Sequence, residues 1–308
     1  MNYQTIEEIR KQYAKKLNTI FVIVGVTIFA MVFLALFSMS SGMGFLYIIS
    51  ITFIAMIITI IALSISANKL EKQYKNAYKS YFVGQALNRT FTNIQYDHDK
   101  GITKEELAAT GMMRLGSIYN SNDYVSAKYH DVSLRQADVD IKERYTDSKG
   151  NTYYITIFRG RWMVFEFPKT FSFRLQVIQK KFTAGKKAAK NKETGRNLKR
   201  ISTESITFDR EFMVFAEDDF EAYYLLDPAF IDHIEQLAAS QKGKIMLCFK
   251  DNQLHVAVFD GKDAFEPPSP FKTIDETTET AKIEQEIKTI TDYVDFLKLD
   301  HKLFSKQK

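Results

Sequence analysis

Residues 17–68 read LNTIFVIVGVTIFAMVFLALFSMSSGMGFLYIISITFIAMIITIIALSISAN, 52 positions without Asp, Glu, Lys, Arg or His. Two apolar blocks lie inside, 20–37 and 45–63, parted by the turn-rich SMSSGMG. They are 18 and 19 residues long. At about 1.5 Å of rise per residue, each nearly matches a bilayer core of about 30 Å. The reading is a transmembrane helical hairpin. A buried pair of soluble helices is the alternative, and charge-free runs of this length argue against it.

The flanks of the two blocks give an orientation. Arg10, Lys11, Lys15 and Lys16 precede the first block, Lys69, Lys72, Lys75 and Lys79 follow the second, and the connecting turn has no basic residue. The positive-inside rule then puts both termini in the cytosol of a two-span cell-membrane protein. A cleaved signal peptide is not expected, since the first block lacks a small-x-small site and a second span follows at once. The spans hold no ionisable residue, so they read as an anchor and not as a proton or ion path. This disfavours a multimeric pore or accessory subunit.

The whole-chain averages hide this feature: 308 residues, 45% apolar, 26% charged, net +5. About 240 residues follow the hairpin, enough for one sizeable core or two small ones. Cys248 is the one cysteine, so no intramolecular disulfide can form.

Ile6, Ile9 and Tyr13 form a helical stripe before the first span. Leu70, Tyr74, Ala77 and Tyr81 form another after the second, and the two could pack as a juxtamembrane stalk. Beyond, the pattern turns to strands. DVDIKERYTD and NTYYITIFRG flank the turn DSKG; RWMVFEFP and FSFRLQVIQKK read as two further strands of an antiparallel meander, separated at Pro168. A strand runs through Val214 and Phe215, then a short helix through Ala222 to Leu225. Asp227 caps another helix with Pro228 at its first position, and Ile231, Ile234 and Leu237 face its core. KIMLCFK and LHVAVFD read as a second hairpin about DNQ. FEPPSPF holds three of the five prolines and reads as a stiff linker; its Pro267–Pro270 spacing also resembles a PxxP ligand.

Two surfaces are candidates for contacts. Lys180 to Arg200 carries net +8 through Lys180, Lys181, Lys186, Lys187, Lys190, Lys192, Arg196, Lys199 and Arg200 against Glu193. It is either a solvated loop or a polybasic patch on an anionic leaflet, where each basic residue adds about 1 kcal/mol. Stacking aromatics are missing there, so nucleic acid is not an expected partner. The last helix, from about Thr278, repeats Ile283, Ile287, Ile290, Val294 and Leu297 in steps of 4, 3, 4 and 3, with Phe304 a further 7 on and His301 interrupting. The stripe either packs on its own domain or pairs with a second copy or another membrane protein, as in a coiled coil.

Few residues of the chain are arranged for chemistry. QYDHDKGITKEEL, 95–107, imitates a calcium loop, but Gln95 stands at its first position and Lys100 where Gly is needed. Thr103 and Glu106 fit a helix capping box instead. His98, His130, His233, His255 and His301 form no HExxH, and one cysteine makes no zinc cluster. Neither Gly-Lys pair has a phosphate loop around it, and no G-x-S-x-G elbow occurs. Glu217, Asp218, Asp219 and Glu221, with Asp227 and His233 nearby, could be drawn as a hydrolase site; acids ahead of helices more simply satisfy their N-termini. No metal or cofactor is expected.

Tyr96 with Gly101-Ile102-Thr103, then FRGRWMVFEFPK, FDREFMVFAEDDFEAYYLLDPAFIDHI and IMLCFKDNQLHVAV, resemble in order a bacterial membrane family, domain-of-unknown-function family 3137. The likeness runs from Tyr96 to Val258, and FRGRW and AYYLLDPAF are its most specific parts. It implies a bacterial membrane protein with a cytosolic domain and assigns no activity to any residue.

The expected architecture is a membrane-anchored α+β protein, a transmembrane hairpin plus an antiparallel-sheet cytosolic domain with flanking helices. Its parts are an N-terminal amphipathic helix at 1–19, the hairpin at 20–64, a juxtamembrane helix at 65–90, the domain at 91–266 with its basic loop at 180–200, and a C-terminal amphipathic helix at 275–304. The leading expectation is a non-enzymatic binding or scaffold module at the lipid bilayer, touching anionic headgroups or a membrane partner. The alternative is a membrane-tethered hydrolase using Asp218, Asp219 and His233.

Overall fold

The computed structural model describes residues 2–38, 44–182, 198–299 and 304. It is a mixed α+β structure with an antiparallel sheet and two apolar helices long enough to cross a membrane. The chain divides into two units, residues 1–83 with 266–280, and residues 84–265 with 281–308.

The first unit is built on α1 (Tyr3–Ser38) and α2 (Gly44–Tyr78), followed by a π-helical turn, Lys79–Val83. Each helix is charged at one end and apolar at the other. The apolar side chains point outward: Phe29 is 74% exposed and Ile51 67%. At the charged ends the two stripes close on each other. Ile6, Ala77 and Tyr78 are buried, and the rings of Tyr13 and Tyr74 lie 6.3 Å apart. Tyr13 is early in α1 and Tyr74 late in α2, so the helices run antiparallel.

The second unit opens with α3 (Gly84–Thr90) and continues through β1 (Thr92–Asp97), α4 (Lys104–Thr110), β2 (Ile118–Tyr129), β3 (Val132–Thr146) and β4 (Thr152–Gln179). Then come β5 (Lys199–Ile201), α5 (Ile206–Glu211), β6 (Phe212–Ala216), α6 (Asp219–Leu225), α7 (Pro228–Ser240), β7 (Lys244–Phe259) and α8 (Glu276–Leu297), whose first turn is counted with the first unit. The seven strands order as β1-β2-β3-β4-β6-β5, with β7 along β4.

β4 is the spine. It pairs with β3 from Thr152 to Glu166, with β6 from Leu175 to Gln179, and with β7 from Gly160 to Ile178. The turn after β3 is held by Asp147, whose Oδ1 accepts the Lys149 and Asn151 N–H at 2.9 and 2.8 Å. Gly150 supplies the positive φ of 83° that the turn needs. At Gly160 a Cβ would lie 2.1 Å from the Val258 carbonyl oxygen, so only glycine lets β7 approach.

Two strand expectations are corrected. NTYYITIFRG, RWMVFEFP and FSFRLQVIQKK form one strand of 28 residues, not three. Pro168 lacks an N–H, yet it sits where the ladder to β7 is already interrupted, between Glu166 and Phe171, so pairing stops without ending the strand. KIMLCFK and LHVAVFD are likewise one strand. Asp251 has φ 54° and faces that same interruption, so DNQ belongs to a bulge and not a turn. β1 and β2 have no counterpart in the sequence reading.

The core joins both ends of this spine. Trp162, Phe158, Val164, Met246, Cys248 and Ala257 are buried in one cluster with Leu107, Met112 and Met113 from α4 and the loop after it. Burial raises the Cys248 thiol to about 12, an inert core side chain.

Candidate functional site

The acids of the hydrolase expectation are spread over helix ends. Asp218 caps α6 by accepting the Glu221 N–H at 3.0 Å, and Asp227 caps α7 by accepting the Phe230 N–H at 2.7 Å. Glu217 accepts the Arg174 N–H at 3.1 Å. Asp219 lies in the first turn of α6, and His233 is half-buried on α7. Each of the two caps satisfies an N–H that its helix leaves open, the role that acids ahead of a helix have by default. Thr103 caps α4 in the same way, accepting the Glu106 N–H at 3.2 Å, and the Glu106 carboxylate pairs with Arg135 at 2.8 Å.

The second unit does hold a polar cleft, of about 460 Å³, which the sequence reading missed. Asp138 on β3, Arg161 on β4, Asp260 and Asp263 after β7, and Glu286 on α8 line it. Asp138 is 4% exposed and accepts the Ala264 N–H. Burial pushes its carboxyl well above the usual range; Arg161 opposes that shift and Asp263, hydrogen-bonded to it, adds to it. Arg161 donates to the Glu286 carbonyl at 2.8 Å and lies 5.6 Å from the Phe265 ring centre. Glu286 in turn accepts the Phe265 N–H at 2.7 Å. These groups tie α8 and the chain after β7 to the sheet. They come from four distant segments, so no local spacing marked them.

His255 is also interior. Its Nδ1 accepts from Trp162 Nε1 at 3.4 Å, and its Nε2 is 3.1 Å from Gln253 Oε1, as a neutral ring with Nε2 protonated allows. Burial lowers its pKa to about 3, helped by the Arg135 charge.

The stalk in the first unit is the most densely tied polar arrangement there. Residues 266–280, which include most of the FEPPSPF stretch expected as a stiff linker, are strapped onto it. Tyr3 Oη donates to the Ile274 carbonyl at 2.6 Å, and Tyr74 Oη to the Pro268 carbonyl at 3.1 Å. Arg10 donates to the Pro270 carbonyl while its guanidinium also pairs with Glu7. Tyr78 and Tyr81 each donate at 2.6 Å, to Glu279 and Glu276. Lys75 and Lys79 reach Glu266 at 3.1 and 3.0 Å. Three prolines remove N–H donors from the strap; the Tyr74 hydroxyl and the Arg10 guanidinium supply donors to its Pro268 and Pro270 carbonyls.

Of the basic stretch, Lys186, Lys187, Lys190, Lys192 and Arg196 lie outside the described residues. Lys180 donates to the Asp209 carbonyl at 2.8 Å, Lys181 is exposed, and Lys199 and Arg200 are exposed on β5, an edge strand. His301 is also outside the described residues. The α8 stripe is buried at all five positions: Ile283, Ile287, Ile290, Val294 and Leu297 are at most 1% exposed. Tyr293 stacks on Phe165 of β4 at 6.4 Å, and Phe304 lies 4.7 Å from Phe167. In the described residues the stripe packs on the chain's own domain, the first of its two expected arrangements.

Residues 156–299 match a family model described as protein of unknown function (DUF3137). The match starts later than the expected Tyr96 and runs on through the strap and α8. No curated protein matches the chain. The crystal structure of the mycobacterial trehalose monomycolate transport factor A, TtfA, is similar at 9% identity over 73% of this chain and 94% of that one. Its TM-score of 0.40 makes the likeness too loose to carry any argument about function.

Proposed function

Since residues 156–299 belong to the DUF3137 family, whose description names no activity, we propose a function from the physical features of the chain: a non-enzymatic binding module held at the inner face of a bacterial cell membrane. One observation carries the anchor. α1 and α2 expose Phe21, Val22, Phe29, Phe33, Ile51 and Ile58, each more than 60% open, over a charge-free stretch. Water would penalise that surface by about 25 cal/mol for each Å²; lipid does not. The basic flanks set both termini in the cytosol. Capping duty at Asp218 and Asp227 supports a binding role over hydrolysis.

The basic stretch between β4 and β5 is proposed as a further contact with anionic headgroups, with Lys199 and Arg200 presented on the edge strand. Charges on an edge strand also deter unwanted strand pairing, and salt separates the two roles. Full-length protein is tested by alkaline carbonate washing of membranes and by protease protection. It stays in the washed pellet, and protease digests the residues after 84 in inverted vesicles but not in intact spheroplasts. Release by carbonate, or digestion from the outer side, would refute the anchor or its orientation.

A further inference from the structure

We propose that the groove on α1 where the stalk meets the apolar span holds one anionic phospholipid. The proposal rests on the membrane reading above and names the ligand of that surface. The groove has a volume of about 580 Å³ and is lined by α1 from Arg10 to Ile23 and by Phe271 of the strap.

Its lining is graded along the helix. Lys11 and Lys15 stand at one end, Asn18 and Thr19 in the middle, and Val22 and Ile23 at the other. Steps of 4, 3 and 4 from Lys11 through Lys15 and Asn18 to Val22 keep these groups on one face. At about 1.5 Å per residue they span roughly 16 Å along the axis, the distance from headgroup to upper acyl chain. A phospholipid has the same order of parts: an anionic phosphate, ester oxygens, then hydrocarbon.

The individual groups fit those parts. Arg10 is engaged with Glu7 and the Pro270 carbonyl, which leaves Lys11 and Lys15, both exposed, to meet the phosphate. Thr19 Oγ1 is turned to the Lys15 carbonyl at 2.9 Å. The Asn18 amide has no hydrogen bond among the described residues and is free to reach an ester oxygen. Phe271 is 51% exposed, an apolar ring on a polar strap. Its place in the groove wall, opposite the point where α1 becomes apolar, is that of an interfacial aromatic. Charge complementarity and continuity with the apolar span therefore commit the groove to lipid and not to a peptide.

The test uses the full chain in mild detergent, with native mass spectrometry after addition of phosphatidylglycerol or phosphatidylcholine. Wild type retains one phosphatidylglycerol in preference to phosphatidylcholine. The variant K11Q/K15Q loses about thirtyfold of that preference, two basic contacts' worth. K16Q/K69Q, with the same change in charge outside the groove, keeps it. F271A binds both lipids more weakly and keeps the preference. Equal retention by K11Q/K15Q and wild type, or equal loss in the K16Q/K69Q control, overturns the site. So does displacement of the lipid by millimolar inorganic phosphate, which would make free phosphate the ligand. Carbonate washing of the same variants separates the two ideas: loss of lipid preference with the protein still in the pellet tests the groove alone.

Discussion

Replacing His255 with Gln should remove a proton-linked weakness from the second unit. The wild-type ring is neutral in the fold, with a pKa near 3 against 6.5 in the unfolded chain. Between those values unfolding takes up a proton, so stability falls as the pH drops. The slope approaches 1.36 kcal/mol for each pH unit. From pH 6.5 to 4.5 the loss is about 2 kcal/mol, allowing for half-titration at the upper end. Asp138 acts in the opposite direction: its raised pKa means that stability is lost as the pH rises above 3.8. That contribution is common to both proteins and cancels in the comparison. The chain provides its own reporter, because Trp162 is the one tryptophan, is buried, and donates to His255. Urea unfolding of the full-length protein in detergent, followed by Trp162 emission at several pH values, gives both slopes. H255Q should lack the steepening below pH 6.5, whatever its stability at pH 7. Parallel pH dependence in the two proteins would show that His255 is not buried neutral and would refute the reasoning.

Ile290→Ala should cost about 2–5 kcal/mol, because the side chain is fully buried on the inner face of α8. The elution volume on gel filtration in detergent should not change; a shift to smaller species would mean that the stripe holds copies together. Asp227→Ala should cost about 1 kcal/mol, the usual value of an N-cap, read by thermal denaturation. A change too small to measure would remove the capping account of that acid. Glu266→Gln should loosen the strap, since Lys79 is buried beside it. Limited proteolysis would show faster cleavage between 266 and 272, and an unchanged rate would mean that the tyrosine contacts alone hold it.

How much of this was legible depended on the range of the interactions. The DSKG turn could be read because its cause is local: Asp147 accepts from residues two and four ahead of it. DNQ misled because a bulge and a hairpin turn both call for a positive φ, and Asp251 satisfies either. β2 escaped notice because its first half is polar, NSND, with little alternation. The α8 stripe showed its period but not its partner, since Phe165 and Tyr293 meet only in the folded sheet. FEPPSPF had every mark of a spacer, and the groups that bind it, the Tyr74 hydroxyl and the Arg10 guanidinium, lie 194 and 260 residues from their acceptors. The cleft around Asp138 and Arg161 was out of reach for the same reason.

The path of the chain through its two units has a consequence for biosynthesis. After β7 the polypeptide leaves the domain to lie on the stalk, and only then supplies α8. The piece that seals the sheet is therefore made after the strands it covers. Until the ribosome has made α8, Phe165 lacks the cover of Tyr293, though α1 and α2 are already made. A nascent protein stopped before residue 281 would leave that face of its sheet open and sticky.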